Sequence, residues 1–536
     1  MDGDRVQNLG PQGRCTIQMT TNKHTAHWTL EALAHAGVKT IVFSPGSRNA
    51  PLIIAAEALG SFDMEVLGDE RSAAFNALGR SLVTGLPVAV CCTSGSALAN
   101  YYPAILEAYY AHVPLIVLSA DRPEERINKG EGQTCVQRDF YEPHVAASVH
   151  IEEDASASEV VSQLDFAIRA QQVEMRPIHI NLSFDEPLYA QELEPESLAI
   201  VFSDDVMEFH GIPDNQPVPS FSDCKSVAVI AGQLLPQESA QLRTLLDEGV
   251  AWTLFSDPMS GVLDHPQAVP MEALLDLEPD AVLSIGGQWI NKKPKQHLRA
   301  LGIKKHVHID IFQCWDVLDA EVLHLRMAPN ALTVWKSAPE FIRIPAVAPV
   351  SKPLPWSDAA AFQAVVSKLK TTDVLHLGNS SIVRYFNYFP KAVQLYGNRG
   401  VAGIDGSLST AVGAALADPD RRHILIIGDQ SFLYDHNGLY GQKIPQNLIV
   451  CVLNNSVGAI FDWLPDTAST GSEAKRVFAN AQQVNLAGIA SAFGVKYEAV
   501  TSVEALLNAL EGAVGSKIID SKTEQHANLA ALVALR

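Results

Sequence analysis

Short apolar runs alternate with amphipathic stretches along most of the chain, and each run stops at small or polar residues. The pattern is clearest between Ile424 and Leu464. There Ile424–Ile427 stops at Gly428-Asp429, a helix-like segment follows around Phe432 to Gln442, and a second run, Leu448–Leu453, stops at Asn454-Asn455. Brief apolar runs bounded by turn residues read as buried strands, and strand, crossover helix, strand is a parallel unit. The same alternation starts at Thr25, where a helical pattern leads into a strand at Thr40–Phe43 and the loop SPGSRNAP. It continues as a helix near Leu52–Leu59, strand Met64–Leu67, helix Ala73–Val83, strand Val88–Cys92, helix Ala97–Tyr110 and strand Leu115–Leu118. A polar, proline-bearing stretch near residues 201–225 reads as a linker. Further strands are expected near Ser226–Ala231, Ala251–Phe255, Ala281–Ile285 and His306–Ile309. A second linker, IPAVAPVSKPLPW, precedes a third segment that ends in a strand at Lys517–Ile519 and a helix at Ala527–Leu535. Strands regularly separated by helices predict an α/β protein of three doubly wound parallel-sheet domains. The expected spans are residues 1–200, 201–350 and 351–536, with 1–22 a loosely attached arm.

Composition narrows what these sheets do. Of 536 residues 47% are apolar and only 18% charged, which suits a folded, globular chain. A formal charge of -21 argues against a general nucleic-acid or phospholipid surface. It also means that an anionic substrate must be met by a local cluster of arginine or lysine. The seven cysteines include no CxxC pair, a pattern expected of reduced thiols in a cytoplasmic protein. The polar N-terminal stretch has no apolar core of a signal peptide, and no apolar run has the length of a membrane span.

Chemistry should collect at the carboxyl ends of parallel strands. Asp429 and Asn455 both fall there. A carboxylate oxygen from Asp429, an amide oxygen from Asn455 and a main-chain carbonyl near Val457 are three hard ligands. They suit an octahedral Mg²⁺ (or Mn²⁺) whose other ligands are phosphate oxygens. The loops at Ser47-Arg48, Asp69-Glu70-Arg71, Thr93–Ser96 and Asp121–Pro123 all follow strands and should line one edge of the first sheet. Gly400, Gly403 and Gly406 suit a loop that lets main-chain amides approach a ligand closely. The middle segment has Gly232 and Gly286-Gly287 but no GxGxxG, so a bound dinucleotide is not expected there.

The Gly-Asp…Asn-Asn spacing resembles the signature of thiamine diphosphate enzymes, although Gln430 stands where many members have a small residue. SPGSRNAPL, DERSAAFNALG, TSGSALANYYPAILEA, ADRPEE, GNSSIVR and NRGVAGIDGSLST together resemble one branch of that family, 2-succinyl-5-enolpyruvyl-6-hydroxy-3-cyclohexene-1-carboxylate synthase of menaquinone biosynthesis. The resemblance runs from about residue 25 to the C-terminus and is weakest in the middle segment, apart from the turn before Lys292. It implies that the three domains are pyrimidine-binding, central and diphosphate-binding, and that the cofactor is thiamine diphosphate held by Mg²⁺ or Mn²⁺. Gly428, Asp429, Gln430, Ser431, Asn455 and Gly458 then surround the cofactor, with Asp429, Asn455 and Val457 on the metal. Glu70 is the carboxylate expected to hydrogen-bond the aminopyrimidine and act as acid–base group; read alone, it is an acid at a helix start. Ile404 matches an apolar residue that props the cofactor, with ordinary core packing the alternative. Phe461 and Leu464 match apolar residues near it, and core packing is the stronger reading for both.

The implied reaction is a carboligation in which 2-oxoglutarate loses CO₂ and the remaining four-carbon unit adds to isochorismate. Ser47, Arg48, Arg122, Gln133 and Lys292 match positions that hold isochorismate, while Ser380, Arg384 and Arg399 match those that hold the succinyl carboxylate. Arginine suits a carboxylate because its planar fork binds both oxygens. Lys292 can equally be a solvated lysine beside Lys293 and Lys295. The family draws the two cofactor ends from different subunits, which implies a homodimer or homotetramer. Other readings are a simple 2-oxo acid decarboxylase, an acetohydroxyacid-synthase-like ligase with a flavin, or a catalytically silent homologue that binds cofactor as a scaffold.

Overall fold

The computed structural model describes residues 19–198, 218–345, 353–462, 470–513 and 515–535. Three six-stranded sheets, each parallel throughout, form its frame. In spatial order the first contains Asp63–Val66, Thr40–Phe43, Val88–Cys92, Leu115–Asp121, Ile178–Ser183 and Ala147–Ile151. The third contains Gln394–Tyr396, Val374–Leu377, His423–Gly428, Leu448–Asn454, Lys517–Lys522 and Lys496–Val500. Numbered along the chain, both follow the order 2-1-3-4-6-5. The middle sheet (Ala268–Pro270, Leu254–Ser256, Val227–Ala231, Ala281–Ile285, Lys305–Ile309, Val322–Leu325) follows 3-2-1-4-5-6.

Helices cover both faces of each sheet, so the central strands are apolar along their whole length rather than alternating. Ile424–Ile427 and Val450–Leu453 are completely buried, which explains why these runs stand out in the sequence. Separate hydrophobic clusters pack on the two faces of the third sheet, one around Phe362 and Leu377, the other around Leu408 and Phe432.

Several expected elements shift. Part of the supposed arm is a strand: Met19–Thr21 pairs antiparallel with Gln191–Leu193. The helix expected at Phe432–Gln442 begins earlier, at Asp429, and ends at Asp435, followed by a 3₁₀ turn at His436–Leu439. It stops because Asp435 is drawn aside: its carboxylate accepts from the Ser409 N–H (2.7 Å) and Oγ (2.8 Å) at the start of helix Ser407–Ala417. Gly438 then passes so close that a Cβ there would lie 2.7 Å from Ser409 Oγ. The strand expected at Ala251–Phe255 is shorter and later, Leu254–Ser256.

By contact density the chain divides into two compact units. One comprises residues 1–206 with 440–442, the other 207–439 with 443–536, so the middle and third sheets belong to the same unit. Among the described residues no helix is long and apolar enough to cross a membrane.

Candidate active site

At the carboxyl edge of the third sheet, strand His423–Gly428 passes directly into helix Asp429–Asp435. Asp429 is 5% exposed, and its Oδ1 accepts from the Gln430 N–H at 2.8 Å. Burial pushes its carboxyl up to about 7; the N–H groups of Gln430 and Ser456 oppose the shift, while Asp358 and Asp520 add to it. A buried carboxylate among further carboxylates is costly unless a cation joins it. The next strand, Leu448–Asn454, delivers Asn455 beside it. Asn455 Nδ2 donates to Asp358 Oδ2 at 2.6 Å, and its Oδ1 accepts from the Val457 N–H at 2.9 Å. Ser456 has φ 60°, and this left-handed residue makes the turn. The Val457 carbonyl accepts from the Ala459 N–H at 2.9 Å. Each of these oxygens has a second lone pair. Among the described residues no three His, Cys, Asp or Glu side chains form a metal-binding group. The donor set here is instead one carboxylate, one amide and main-chain carbonyl, the hard oxygen chemistry that Mg²⁺ takes.

Neighbouring segments close around this turn. Ser431 Oγ donates to the Ile404 carbonyl, which joins the glycine-rich loop to the start of the helix. The Ile404 side chain is 42% exposed, so the core-packing alternative does not describe it. Gln430 exchanges hydrogen bonds with Asn480, and the Gly458 N–H donates to Ala479 O at 2.7 Å. A Cβ on Gly458 would sit 3.3 Å from both Ala479 O and the Phe461 ring, so the backbone there is tightly approached. Phe461 is half-buried and stacks on Phe478 at 5.5 Å. Leu464 lies outside the described residues.

A cationic cluster occupies the same unit. Arg399 is 8% exposed and donates through Nη1 to Asn379 Oδ1 at 2.7 Å; Asn379 in turn donates to the carbonyls of Asn398 and Gly403, both at 2.6 Å. Arg384, in the short helix Ser381–Tyr385, donates to the Ser380 carbonyl, and Ser380 has φ 73°. Burial and the Arg399 charge lower the Arg384 pKa, with Asp257 opposing. A buried and a half-buried guanidinium group that repel one another favour an anion. Asp257 was not evident from the sequence. It accepts from the N–H groups of Ile290 (2.7 Å) and Met259 (3.0 Å), and burial pushes it up to about 6 against the pull of Arg399 and Lys295. Only the fold brings this middle-sheet residue to the arginines; nothing in its local sequence signals the role. Lys292 is exposed at the first turn of helix Lys292–Leu301, near enough to Lys295 to help lower that lysine's pKa after the larger effect of burial.

The first unit gathers a second cationic edge. Arg122 donates to Ser94 Oγ and to the Gln133 carbonyl, both at 2.8 Å. Arg48 donates to the Phe184 carbonyl at 2.8 Å and pairs with Glu186 at 3.2 Å; burial, then the Arg122 charge, lowers its pKa. Gln133 takes φ 55°, with its main chain against Gly95, where a Cβ would meet Gln133 Cα at 3.1 Å. Ser47 is exposed in the loop beside Arg48. Glu70 opens helix Glu70–Thr84 behind the N-cap Asp69; it is half-buried and accepts a long contact from Asn100 Nδ2 at 3.5 Å. Gln137 supports this edge unseen by motif: its Oε1 accepts from the Gly95 N–H at 2.9 Å, and its Nε2 donates to Asn181 Oδ1 at 2.9 Å.

Comparison with known proteins identifies the family. The thiamine pyrophosphate enzyme N-terminal binding domain matches residues 23–142, and the C-terminal binding domain matches residues 377–521. A 2-succinyl-5-enolpyruvyl-6-hydroxy-3-cyclohexene-1-carboxylate synthase from Flavobacterium johnsoniae is 34% identical over 486 residues, 84% of this chain and 85% of that protein. One of the same name from Desulfotalea psychrophila is 35% identical over 520 residues, covering 89% and 94%. In fold, the chain is similar to benzoylformate decarboxylase from Polynucleobacter necessarius, with TM-score 0.74 and 17% identity over 94% of this chain and 99% of that one. The chain belongs to the 2-succinyl-5-enolpyruvyl-6-hydroxy-3-cyclohexene-1-carboxylate synthase family of thiamine diphosphate-dependent transferases.

Proposed function

We propose that this chain removes CO₂ from 2-oxoglutarate and joins the remaining four-carbon unit to isochorismate by conjugate addition, in menaquinone biosynthesis. When bound, thiamine diphosphate supplies the nucleophilic carbon and the electron sink that decarboxylation requires. Asp429, Asn455 and the Val457 carbonyl would hold Mg²⁺ or Mn²⁺ there, with Gly428, Gln430, Ser431 and Gly458 around the diphosphate. The observation that carries this is the buried Asp429 carboxylate, which has further carboxylates nearby and the Asn455–Val457 turn hydrogen-bonded beside it.

The remaining residues bind, orient and exclude water. Glu70 would hydrogen-bond the aminopyrimidine and act there as the acid–base group. Ile404 and Phe461 would offer apolar surface toward the cofactor. Ser380, Arg384 and Arg399 receive the carboxylate of 2-oxoglutarate, whose negative charge relieves the repulsion between the two guanidinium groups. Ser47, Arg48, Arg122, Gln133 and Lys292 receive isochorismate. The reading includes a homodimer or homotetramer in which different subunits supply Glu70 and Asp429 to one cofactor.

Incubation with Mg²⁺, thiamine diphosphate, 2-oxoglutarate and isochorismate, with product masses read out, tests the proposal. The mass of the conjugate adduct is expected. Succinic semialdehyde as the sole product would replace the proposal with a simple decarboxylase.

A further inference from the structure

Asp358 opens helix Asp358–Ser367 and is 1% exposed. No motif marks it; in the sequence it reads as an acid favouring a helix N-terminus. Its carboxylate is fully engaged as an acceptor: Oδ2 receives Asn455 Nδ2 at 2.6 Å and Oδ1 receives Thr523 Oγ1 at 2.5 Å. Its main-chain N–H donates to Asn528 Oδ1 at 2.8 Å, and the Thr523 N–H donates to the carbonyl of Asn454 at 3.0 Å. The helix start, the end of strand Leu448–Asn454 and the segment after strand Lys517–Lys522 are thereby joined around one carboxylate.

An ionised carboxylate has no proton to donate. Both Asp358 oxygens accept here, from Asn455 and Thr523, so the NH₂ side of the Asn455 amide faces Asp358 and its oxygen turns the other way, toward the Val457 N–H. With a neutral hydroxyl or amide in place of Asp358, either amide orientation would find a partner. We propose that Asp358 is a positioning residue that fixes the metal-binding orientation of Asn455 and places a second negative charge behind the metal site. This rests on the reading of Asp429 and Asn455 as metal ligands, and it adds a residue that no motif match or comparison assigns. Outer hydrogen-bond partners of metal ligands characteristically matter in this way, at about 10- to 100-fold in metal affinity.

The test is calorimetric titration of Mg²⁺ into apoprotein at fixed thiamine diphosphate, with circular dichroism to establish folding. Asp358→Ala should weaken Mg²⁺ binding by about 10- to 100-fold. Asp358→Asn should weaken it by less than Asp358→Ala, because its carbonyl can still accept from Asn455 while its NH₂ donates to Thr523, although it no longer excludes the reversed amide and lacks the charge. Asn455→Asp alone sets two carboxylates against each other and should bind Mg²⁺ poorly. The exchange Asp358→Asn with Asn455→Asp restores a donor–acceptor pair and should recover about tenfold or more over Asn455→Asp. The exchange decides the matter if Asp358→Ala does not fold. Wild-type Mg²⁺ affinity in folded Asp358→Ala, or an exchange no better than Asn455→Asp, overturns the proposal. Wild-type affinity in Asp429→Ala would instead overturn the metal site itself.

Discussion

The first and third sheets thread six strands in the same order, 2-1-3-4-6-5, yet their carboxyl edges carry different chemistry. After the first strand both have an arginine nearby, Arg48 in one and Arg384 in the other. After the second, Glu70 stands in the first sheet and Arg399 in the third. After the third and fourth, the first sheet has Ser94 and Arg122 where the third has Asp429 and Asn455. The electrostatic consequences run in opposite directions. Burial and the nearby Arg122 lower the Arg48 pKa, whereas burial and nearby carboxylates push Asp429 up to about 7. The scaffold sets where side chains converge, and the residue at each strand end sets whether an anion or a cation is wanted.

If the two edges are specialised in this way, variants at matching positions should fail differently. The largest effect is expected at Glu70. Glu70→Gln keeps the size and a hydrogen bond but loses the acid–base function, so proton exchange at C2 of bound thiamine diphosphate should slow by about 10²- to 10⁴-fold. Cofactor binding should drop only modestly; an unchanged exchange rate by NMR would assign activation to another residue. Next come two arginines, Arg384 at the third-sheet edge and Arg122 at the first. Loss of one charge-assisted contact costs about 1.5–3 kcal/mol, roughly 10- to 150-fold. Arg384→Ala should raise KM for 2-oxoglutarate by that factor, and Arg122→Ala should raise KM for isochorismate alone. Equal slowing of 2-oxoglutarate decarboxylation by both variants in stopped flow would merge the two edges into one pocket.

The smallest effect is a pH dependence. The Asp429 carboxyl is raised to about 7 in the fold. It therefore favours folding of the apoprotein most when protonated, at pH below its unfolded value, and that contribution is lost as pH rises through about 7. Mg²⁺ needs the ionised form, so its affinity should fall about tenfold per pH unit below the folded pKa, with a proton released on binding. Thermal melting of apoprotein and Mg²⁺-loaded protein across pH 5 to about 8 should diverge as pH rises. A constant gap would remove Asp429 from the metal.

Much of this was legible in the sequence, for identifiable reasons. Ile424–Ile427 and Leu448–Leu453 are buried on both faces, so their apolar runs are unbroken, and the Gly-Asp and Asn-Asn dipeptides mark where they stop. Long-range and inter-domain features were not legible. The pairing of Met19–Thr21 with Gln191–Leu193 joins two very short segments far apart in the chain. Ala147–Ile151 is an edge strand with only alternate residues buried. Asp257 acts near arginines from another sheet, and Asp358 gains its meaning only when folding sets it against Asn455. In each case the signal is a tertiary contact.

The central claim is that the third-sheet edge, not the first, holds the metal and diphosphate. Calorimetric titration of thiamine diphosphate into wild type, Asp429→Ala and Arg122→Ala at saturating Mg²⁺ tests it most directly. The account predicts a loss of more than about 100-fold in Asp429→Ala, whose only anionic ligand is gone, and a change within about twofold in Arg122→Ala. Wild-type affinity in Asp429→Ala, or an equal loss in Arg122→Ala, would contradict it.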